Sequence, residues 1–304
     1  MKYFPHAAIL VAVLLWATSV PAGKAAVSAM PASEILIFRF GLGGLLLWLT
    51  LLLLRRRAEI FAIGRRAFWI GLSAPAAATL TAYWGLLHTS AVHAVLITAG
   101  APVTTSLLAW WLLAEKPTRW VVAGTAVAAA GILLLVSDDD AVGASLWGDF
   151  LCFLSVLFAG YAQVSQRRLG LQYGNAIAAT AWQMTSGTIA CLIVMIGFES
   201  WLDERGWMAV PSTGVWLLIL YLAVFVTALP FALANYTLSR MPAGHMALYT
   251  VLMAPLGVPV AAVVLGEPVS LIDILALLFV TAGVALPALA GLRRGDRRGD
   301  AIAP

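Results

Sequence analysis

The stretch that decides the fold runs from Ala67 to Ala114 and reads AFWIGLSAPAAATLTAYWGLLHTSAVHAVLITAGAPVTTSLLAWWLLA. It contains no Asp, Glu, Lys or Arg. One helix needs roughly 20 apolar residues to cross a bilayer, so this stretch is long enough for two crossings. The polar residues His88, Thr89, Ser90 and His93 mark the break between them. The sequence therefore predicts membrane-spanning helical hairpins joined by short turns.

The composition of the whole chain agrees with this prediction. The chain is 62% hydrophobic and 11% charged, whereas soluble domains are about 45–50% apolar and about 25% charged. Barrel strands would alternate in hydrophobicity over about 10 residues, and these apolar segments are unbroken. A helix pairs its backbone polar groups internally, as a lipid environment requires. We therefore predict an all-α integral membrane protein.

Several functional classes are disfavoured by the sequence. The net charge is +4, but the basic residues cluster in loops and form no basic-aromatic stripe, which argues against nucleic-acid binding. Cys152 and Cys191 lie in apolar segments with no metal-ligand spacing. Motifs such as HExxH, GxSxG and the Walker loop are missing. We expect no enzyme activity, no metal and no cofactor.

Ten spanning segments are predicted, and their approximate bounds are 6–26, 34–54, 68–88, 93–113, 119–136, 148–167, 177–197, 214–237, 245–265 and 271–291. With the N-terminus in the cytoplasm, the loops on that side carry all but three of the 18 Lys and Arg residues. The exceptions are Lys24, Arg39 and Arg205. This asymmetry predicts a multi-pass protein of a bacterial-type inner membrane, with both termini cytoplasmic.

An internal repeat links the two halves of the chain at a constant offset of 152 or 153 residues. The matched positions are His93 with His245, Tyr83 with Tyr236, Ala101-Pro102 with Ala254-Pro255, Glu115 with Glu267, and Gly131 with Gly283. A repeat of five helices is odd in number, so the second copy must enter the membrane from the opposite side. We expect two inverted-topology repeats, 1–140 and 141–292, around a central cavity. A disordered cytoplasmic tail is expected at 293–304.

Several of these stretches resemble a known transporter family. They are LLWATSVPAGKAA at 14–26, EILIFRF at 34–40, Glu-Lys-Pro at 115–117, GDFLCFLSVLFAGYAQVSQRR at 148–168 and Gly-Glu-Pro at 266–268. Together they resemble the EamA-type, ten-helix branch of the drug/metabolite transporter superfamily. The resemblance implies a metabolite exporter with a cavity between its repeats. In length and Trp content the chain is most similar to YddG-type exporters of aromatic amino acids.

Two basic residues lie inside or beside predicted spans. A charge within a span costs at least about 2.5–3.5 kcal/mol on insertion scales, so it usually faces a wet cavity or a partner. Lys24 and Arg39 are therefore predicted as charges of the outer vestibule. Snorkelling to the interface is an alternative for both, and an ion pair with Glu34 is a further alternative for Arg39.

Polar and aromatic side chains recur within the predicted spans. We expect the substrate cavity to be lined by Trp16, Thr79, Tyr83, Gln163, Asn235, Tyr236, Trp110 and Trp182. Hydrogen bonding between packed helices is the alternative for the polar members, and core packing is the alternative for the tryptophans. Pro21, Pro102 and Pro255 are predicted hinges, although plain helix kinks would use the same residues.

Titratable residues near the span ends are expected to be structural. His93 and His245 suit helix caps or loops better than proton coupling. Asp149 and Asp273 stand near helix starts, where a carboxylate favours the positive end of the helix dipole. No acid stands in the middle of a span, which favours facilitated export down a gradient.

The predicted function is secondary transport in the inner membrane. We expect export of amino acids, above all aromatic ones, by alternating access. Exporters of drugs, nucleobases or sugar derivatives remain an alternative, as do a membrane-embedded enzyme and a lipid translocase. The expected partners are a small-molecule substrate and membrane lipid. Both a monomer and a homodimer fit the sequence.

Overall fold

The fold is that of a helical membrane protein. The computed structural model describes residues 4–54, 60–113, 118–136, 145–173, 175–199, 212–238, 240, 249–250 and 252–299. In these ranges the regular structure is entirely helical. Seven helical stretches have the length and composition to cross a membrane, and three shorter apolar helices accompany them. The prediction of an all-α membrane protein is confirmed.

Each predicted segment corresponds to one helical stretch, and we number these stretches segments 1 to 10. Segments 1 to 5 are Phe4–Ala17 with Ser19–Val27; Ala32–Leu53; Ile60–Gly71 with Leu72–Ala77 and Ala78–His88; Ala91–Ala99 with Ala101–Leu113; and Arg119–Val136. Segments 6 to 10 are Leu146–Tyr173; Ala176–Val194 with Met195–Glu199; Thr213–Tyr221 with Leu222–Ala228 and Leu229–Leu238; Met253–Leu265; and Leu271–Gly299.

Side-chain caps begin several of these helices. Ser90 accepts from the backbone N–H of His93 at the start of segment 4. Asn175 does the same for Ala178 at the start of segment 7. At the start of segment 10, Ser270 and Asp273 each accept from the backbone N–H of the other. Such caps satisfy N–H groups that the first helical turn leaves without partners.

Contacts at the two ends of the bundle show how the chain is threaded. At one end, Lys24 contacts Thr89 and Thr89 contacts Asp149. At the opposite end, His6 contacts Tyr249. Each of these residues lies at the end of its segment that an alternating up-and-down path requires. Five segments per half then give the two halves opposite orientations.

Packing between segments follows the repeat. Segment 3 packs on segment 6, and its repeat mate, segment 8, packs on segment 1. Segment 4 packs on segment 6, and segment 9 packs on segment 1 in the same way. Segments 2 and 7 are repeat mates and pack on each other, and the repeat mates 5 and 10 do the same. The helices of the two halves are therefore exchanged by an approximate two-fold relation.

The repeat mates Gly131 and Gly283 bring segments 5 and 10 close together. A Cβ atom on Gly283 would lie 2.6 Å from the backbone O of Gly124, and one on Gly131 would lie 2.7 Å from Cβ of Phe279. Glycine is required on both sides because neither contact leaves room for a methyl group.

Segments 3 and 8 are interrupted at matching depths. Segment 3 contains the π-helix Leu72–Ala77, in which Ala74 is extended. Segment 8 contains the π-helix Leu222–Ala228. The repeat offset of 152 or 153 residues aligns Leu72 with a position inside this π-helix. Paired interruptions of repeat-related helices are a common mark of a transporter's binding region.

The three predicted hinge prolines lie beside helix starts. Segment 1 is interrupted at Thr18, because Pro21 has no N–H to donate to the carbonyl of Ala17. Pro102 follows the interruption of segment 4 at Gly100, and Pro255 is the third residue of the helix Met253–Leu265. A proline in a first turn leaves no hydrogen bond unmade. Their role as hinges stays a prediction.

Some sequence predictions fall outside the described residues or differ in extent. Glu115 and His245 lie outside the described residues. The last helix continues to Gly299, beyond the boundary that the sequence placed at 292. Residues 293–299 contain four arginines, which are good helix formers, and no proline.

Candidate functional site

A buried arginine lies where segments 2, 3 and 8 meet. Arg39 is 4% exposed. Its Nε donates to Thr227 Oγ1 at 2.5 Å, and one terminal nitrogen donates to Tyr83 OH at 2.8 Å. Thr227 lies in the π-helix of segment 8 and Tyr83 in the last part of segment 3, so both interrupted segments contribute to the site.

No ion pair of Arg39 occurs within the described residues, so the predicted alternative of a Glu34–Arg39 pair does not form. The hydrogen-bond partners of Arg39 are neutral hydroxyls, and the rings of Phe40 and Tyr83 lie 5.9 Å from its guanidinium carbon. A guanidinium group has five N–H donors, and these hydroxyls take two of them. A buried charge without an opposite charge is costly unless something compensates it. The site is therefore suited to an anionic group.

Aromatic side chains join segments 1 and 8 beside this site. Phe231 lies one turn beyond Thr227 and packs edge-to-face on Trp16, with 5.5 Å between ring centroids. Thr18 Oγ1 and Tyr221 OH are 2.7 Å apart. Trp16, Thr18, Tyr221 and Phe231 are all half-buried, so this contact between the halves is less tightly enclosed than the arginine.

Two amide pairs connect segments 6, 7 and 8. Asn235 donates to Thr180 Oγ1 at 2.6 Å, and Gln183 donates to Gln166 Oε1 at 2.6 Å. All four residues are buried. Each pair satisfies polar groups that would be costly to leave alone in the bundle.

The other residues predicted to line the cavity are dispersed. Thr79 is half-buried. Gln163 is exposed and lies 3.4 Å from Thr105, and Trp110 is also exposed. Tyr236 packs edge-to-face on Phe4, and the Arg240 guanidinium lies over the Tyr236 ring, toward the end that holds the N-terminus. The structure thus brings Tyr83 to Arg39 and Trp16 to Phe231, whereas Gln163 and Trp110 are exposed.

Trp182 lines a separate cavity of about 290 Å³. Its other walls are Phe61, Gly64, Arg65, Phe68 and Trp69, all of which belong to segment 3. The indole N–H donates to the carbonyl of Ile60 at 3.0 Å. This cavity lies toward the end of the bundle where segment 3 begins, away from Arg39.

Lys24 binds backbone carbonyls at the opposite end. Its Nζ donates to the carbonyl of Leu86 and to that of Thr89 at 2.6 Å. Carbonyls at a helix C-terminus lack helical partners and carry partial negative charge, so a lysine there is stabilising. The half-buried Lys24 thus anchors the end of segment 3.

Glu267 caps segment 4 from the other half of the chain. Gly266, with φ of 66°, ends segment 9 in the left-handed region that favours glycine. The next residue, Glu267, accepts from the N–H groups of Ala91 at 2.9 Å and Val92 at 3.0 Å. The carboxylate therefore joins the two halves at the junction of segments 3 and 4.

A buried His–Asp cluster lies at the same end, and sequence reasoning missed it. His93 Nδ1 lies 3.2 Å from Asp149 Oδ2, and His93 Nε2 lies 3.8 Å from Asp273 Oδ1. Each residue was interpreted separately as a cap, because the three are far apart in sequence. In the described ranges no three His, Cys, Asp or Glu side chains are arranged as metal ligands.

Comparison with known proteins agrees with this architecture. The EamA-like transporter family matches residues 4–137 and 146–288. A solved crystal structure of a protein shares the fold with a TM-score of 0.68 at 17% identity, and the match covers 95% of this chain and 98% of that one.

Curated relatives are similar at lower coverage. The uncharacterized transporter YetK of Bacillus subtilis (strain 168) is 23% identical over 66% of this chain and 61% of its own length. The chain thus spans about six-tenths of that relative. A probable terminal-alkyne amino-acid exporter of Streptantibioticus cattleyicolor is 26% identical over 73% of this chain and 71% of its own length.

The family match covers most of the chain, and the helices have the length and composition of membrane spans. The protein is therefore a multi-pass membrane protein. The chain belongs to the EamA-like transporter family.

Proposed function

We propose that the protein exports amino acids, with aromatic ones preferred, by alternating access. Arg39 is the observation that carries this proposal. It is buried between hydroxyl partners, and it has no ion pair within the described residues. A substrate carboxylate would supply the missing negative charge, because the guanidinium fork matches a carboxylate with two parallel hydrogen bonds.

The aromatic contact beside Arg39 supports the preference for aromatic substrates. Trp16 and Phe231 already pack edge-to-face, and a third ring at that position gains a similar contact. Aromatic pairs contribute about 0.5–1.5 kcal/mol beyond the burial of their area. One substrate can then place its carboxylate on Arg39 and its ring against Trp16 and Phe231.

The arrangement of the halves supports alternating access. Arg39 and Trp16 belong to the first half, and Thr227 and Phe231 to the second. A substrate bound among them would be held by both halves at the depth of the matched interruptions in segments 3 and 8. We propose a central cavity there, formed between the repeats 1–140 and 141–292, which opens to each side in turn.

The direction of transport is proposed from the distribution of basic residues and from the similarity to a relative named as an exporter. The distribution of Lys and Arg supports an orientation in which both termini lie in the cytoplasm of a bacterial-type inner membrane. A relative at 26% identity is named a probable amino-acid exporter, which favours amino acids over the drugs, nucleobases or sugar derivatives that the sequence also allows.

Efflux from proteoliposomes tests the role of the carboxylate. Vesicles are loaded with labelled tryptophan, phenylalanine, threonine, a sugar nucleotide or tryptamine, and release is followed over time. We expect release of tryptophan and phenylalanine but not of tryptamine, which has the same ring as tryptophan and no carboxylate. Release of tryptamine at the rate of tryptophan would contradict recognition of a carboxylate.

Two variants complete this test. Arg39→Lys keeps the charge but loses the planar fork, so tryptophan efflux should fall and remain measurable. Arg66→Gln is the matched control, since Arg66 contacts Gln172 at the opposite end of the bundle from the Lys24 contacts. Rapid movement of the sugar nucleotide without any amino acid would assign the arginine to a phosphate group instead.

A further inference from the structure

The His93 ring lies between two carboxylates that come from the other half of the chain. Nδ1 faces Asp149 of segment 6 at 3.2 Å, and Nε2 faces Asp273 of segment 10 at 3.8 Å. The exposed fractions are 3% for His93, 5% for Asp149 and 6% for Asp273. All three groups are therefore shielded from water at the start of segment 4.

A neutral His93 has too few N–H donors to give both carboxylates a hydrogen bond. A neutral imidazole has one N–H and one acceptor nitrogen. If Nδ1 donates to Asp149, the lone pair on Nε2 faces the Asp273 carboxylate. Among the described residues, His93 Nε2 and Asp273 Oδ1 are both buried without a hydrogen-bond partner. One added proton between them would supply the donor that neither atom has.

The outer oxygens of both carboxylates are already engaged. Asp149 Oδ1 accepts from Thr89 Oγ1 at 2.5 Å, and Asp273 Oδ2 accepts from the backbone N–H of Ser270 at 2.8 Å. In each carboxylate, the oxygen that faces His93 is the one that does not make these contacts. The cluster therefore has one defined place for an additional proton.

Other titratable groups lie on the elements that pack against segment 4. Segment 1 contributes Lys24, the turn before segment 10 contributes Glu267, segment 6 contributes the buried Cys152, and segment 3 contributes Tyr83 and the exposed His88. Lys24 and Glu267 are each bound by backbone groups. The described residues 253–265 of segment 9 carry no titratable side chain.

We propose that His93, Asp149 and Asp273 form a binding site for one proton, held on His93 Nε2 and facing Asp273 Oδ1, which closes this end of the bundle. The bound proton makes an imidazolium between two carboxylates and so joins segment 4 of one half to segments 6 and 10 of the other. Its loss to the solution on this side leaves two facing acceptors and weakens the closure. Export should therefore slow as the pH falls. The effect on export rests on the proposed function, whereas proton binding does not.

Thermal unfolding in detergent tests proton binding without any substrate. The unfolding temperature is measured between pH 8 and pH 5 for the wild type, His93→Gln and His88→Gln. The ion pairs form only with the bound proton, so we expect the advantage of the wild type over His93→Gln to grow as the pH falls and to fade as it rises. His88→Gln should follow the wild type, since His88 is exposed.

Asp273→Asn provides a second variant that does not depend on His93→Gln folding. Its amide N–H can donate to His93 Nε2 and so imitate the protonated cluster. Tryptophan efflux is measured with equal pH inside and outside the vesicles. We expect Asp273→Asn to be slow at every pH, as the wild type is at pH 5.5. Wild-type efflux should rise toward pH 8.

Two results would overturn the proton site. One is an equal difference in unfolding temperature between the wild type and His93→Gln at all pH values. The other is Asp273→Asn efflux with the same pH dependence as the wild type. If no amino acid moves in any sample, the proposed function fails, and the unfolding measurements alone then decide the proton site.

Discussion

Charged side chains in two regions of this bundle have different kinds of partner. At the junction of segments 3 and 4, Lys24 and Glu267 are satisfied by carbonyls and N–H groups of the chain itself. At the meeting point of segments 2, 3 and 8, Arg39 has hydroxyl partners and two aromatic rings within 5.9 Å, but no ion pair among the described residues.

This difference separates groups that hold the bundle together from a group available to a ligand. A charge that completes a helix end contributes to stability, because it satisfies backbone groups and the helix dipole. A buried cation beside neutral partners contributes little to stability and is favourable once an anion arrives. Both regions contain charges inside a membrane protein, and the proposed function assigns substrate binding to the Arg39 region alone.

The largest effect is expected at the arginine. Arg39→Gln should lower tryptophan efflux by about 10- to 100-fold, because a hydrogen bond to a charged group contributes about 1.5–3 kcal/mol. The unfolding temperature in detergent should not fall, since the variant removes a charge that the described residues do not compensate. A strong loss of stability with normal efflux per folded molecule would reverse the roles of the two regions.

The second effect should appear at the cap of segment 4. Glu267→Gln keeps one carbonyl oxygen for two N–H donors, so the variant should be less stable by about 1–3 kcal/mol. Denaturant unfolding checks the loss, and efflux by the folded fraction should keep its preference for tryptophan over tryptamine. A changed substrate preference would mean that the junction also contacts substrate.

A smaller effect is expected from Tyr83→Phe, which keeps the ring against Gly23 and removes the acceptor for Arg39. The Arg39 charge and its hydrogen bond to Thr227 stay in place, so efflux should change by only about 2- to 10-fold, equivalent to about 0.5–1.5 kcal/mol. Tyr161→Phe is the matched control, because Tyr161 is exposed. Equal changes in both variants would remove Tyr83 from the site.

The smallest effect concerns selectivity. Trp16→Leu removes the edge-to-face contact with Phe231, and the ratio of tryptophan to leucine efflux should fall by about 2- to 10-fold. Trp147→Leu is the control, because Trp147 stacks on Phe150 with both rings exposed. An unchanged ratio would leave Arg39 as a carboxylate site without an aromatic wall.

The fold could be predicted because the information is periodic and local. Unbroken apolar stretches set the number of helices, and matches such as Gly131 with Gly283 revealed the repeat. The positions of the helix interruptions were harder to predict. Pro21 signalled a kink, but the break occurs at Thr18, and nothing in Leu222–Ala228 marks a π-helix, since this depends on how segment 8 packs on its neighbours.

The site was harder to predict because its partners are distant in sequence. Arg39 and Tyr83 were each identified, yet their contact depends on the rotation of segments 2 and 3. Gln163 has the same helical spacing as buried residues of segment 6 and is nevertheless exposed. His93, Asp149 and Asp273 come from three segments, and no local pattern brings them together.

The glycine contact between segments 5 and 10 has a mechanical consequence. Because a Cβ atom on Gly283 would lie 2.6 Å from the backbone of segment 5, these two helices cannot slide past each other without separating. Any rocking of one half against the other must therefore pivot along this seam. A covalent link across it should leave turnover intact, whereas a link between segments 1 and 8 should arrest it.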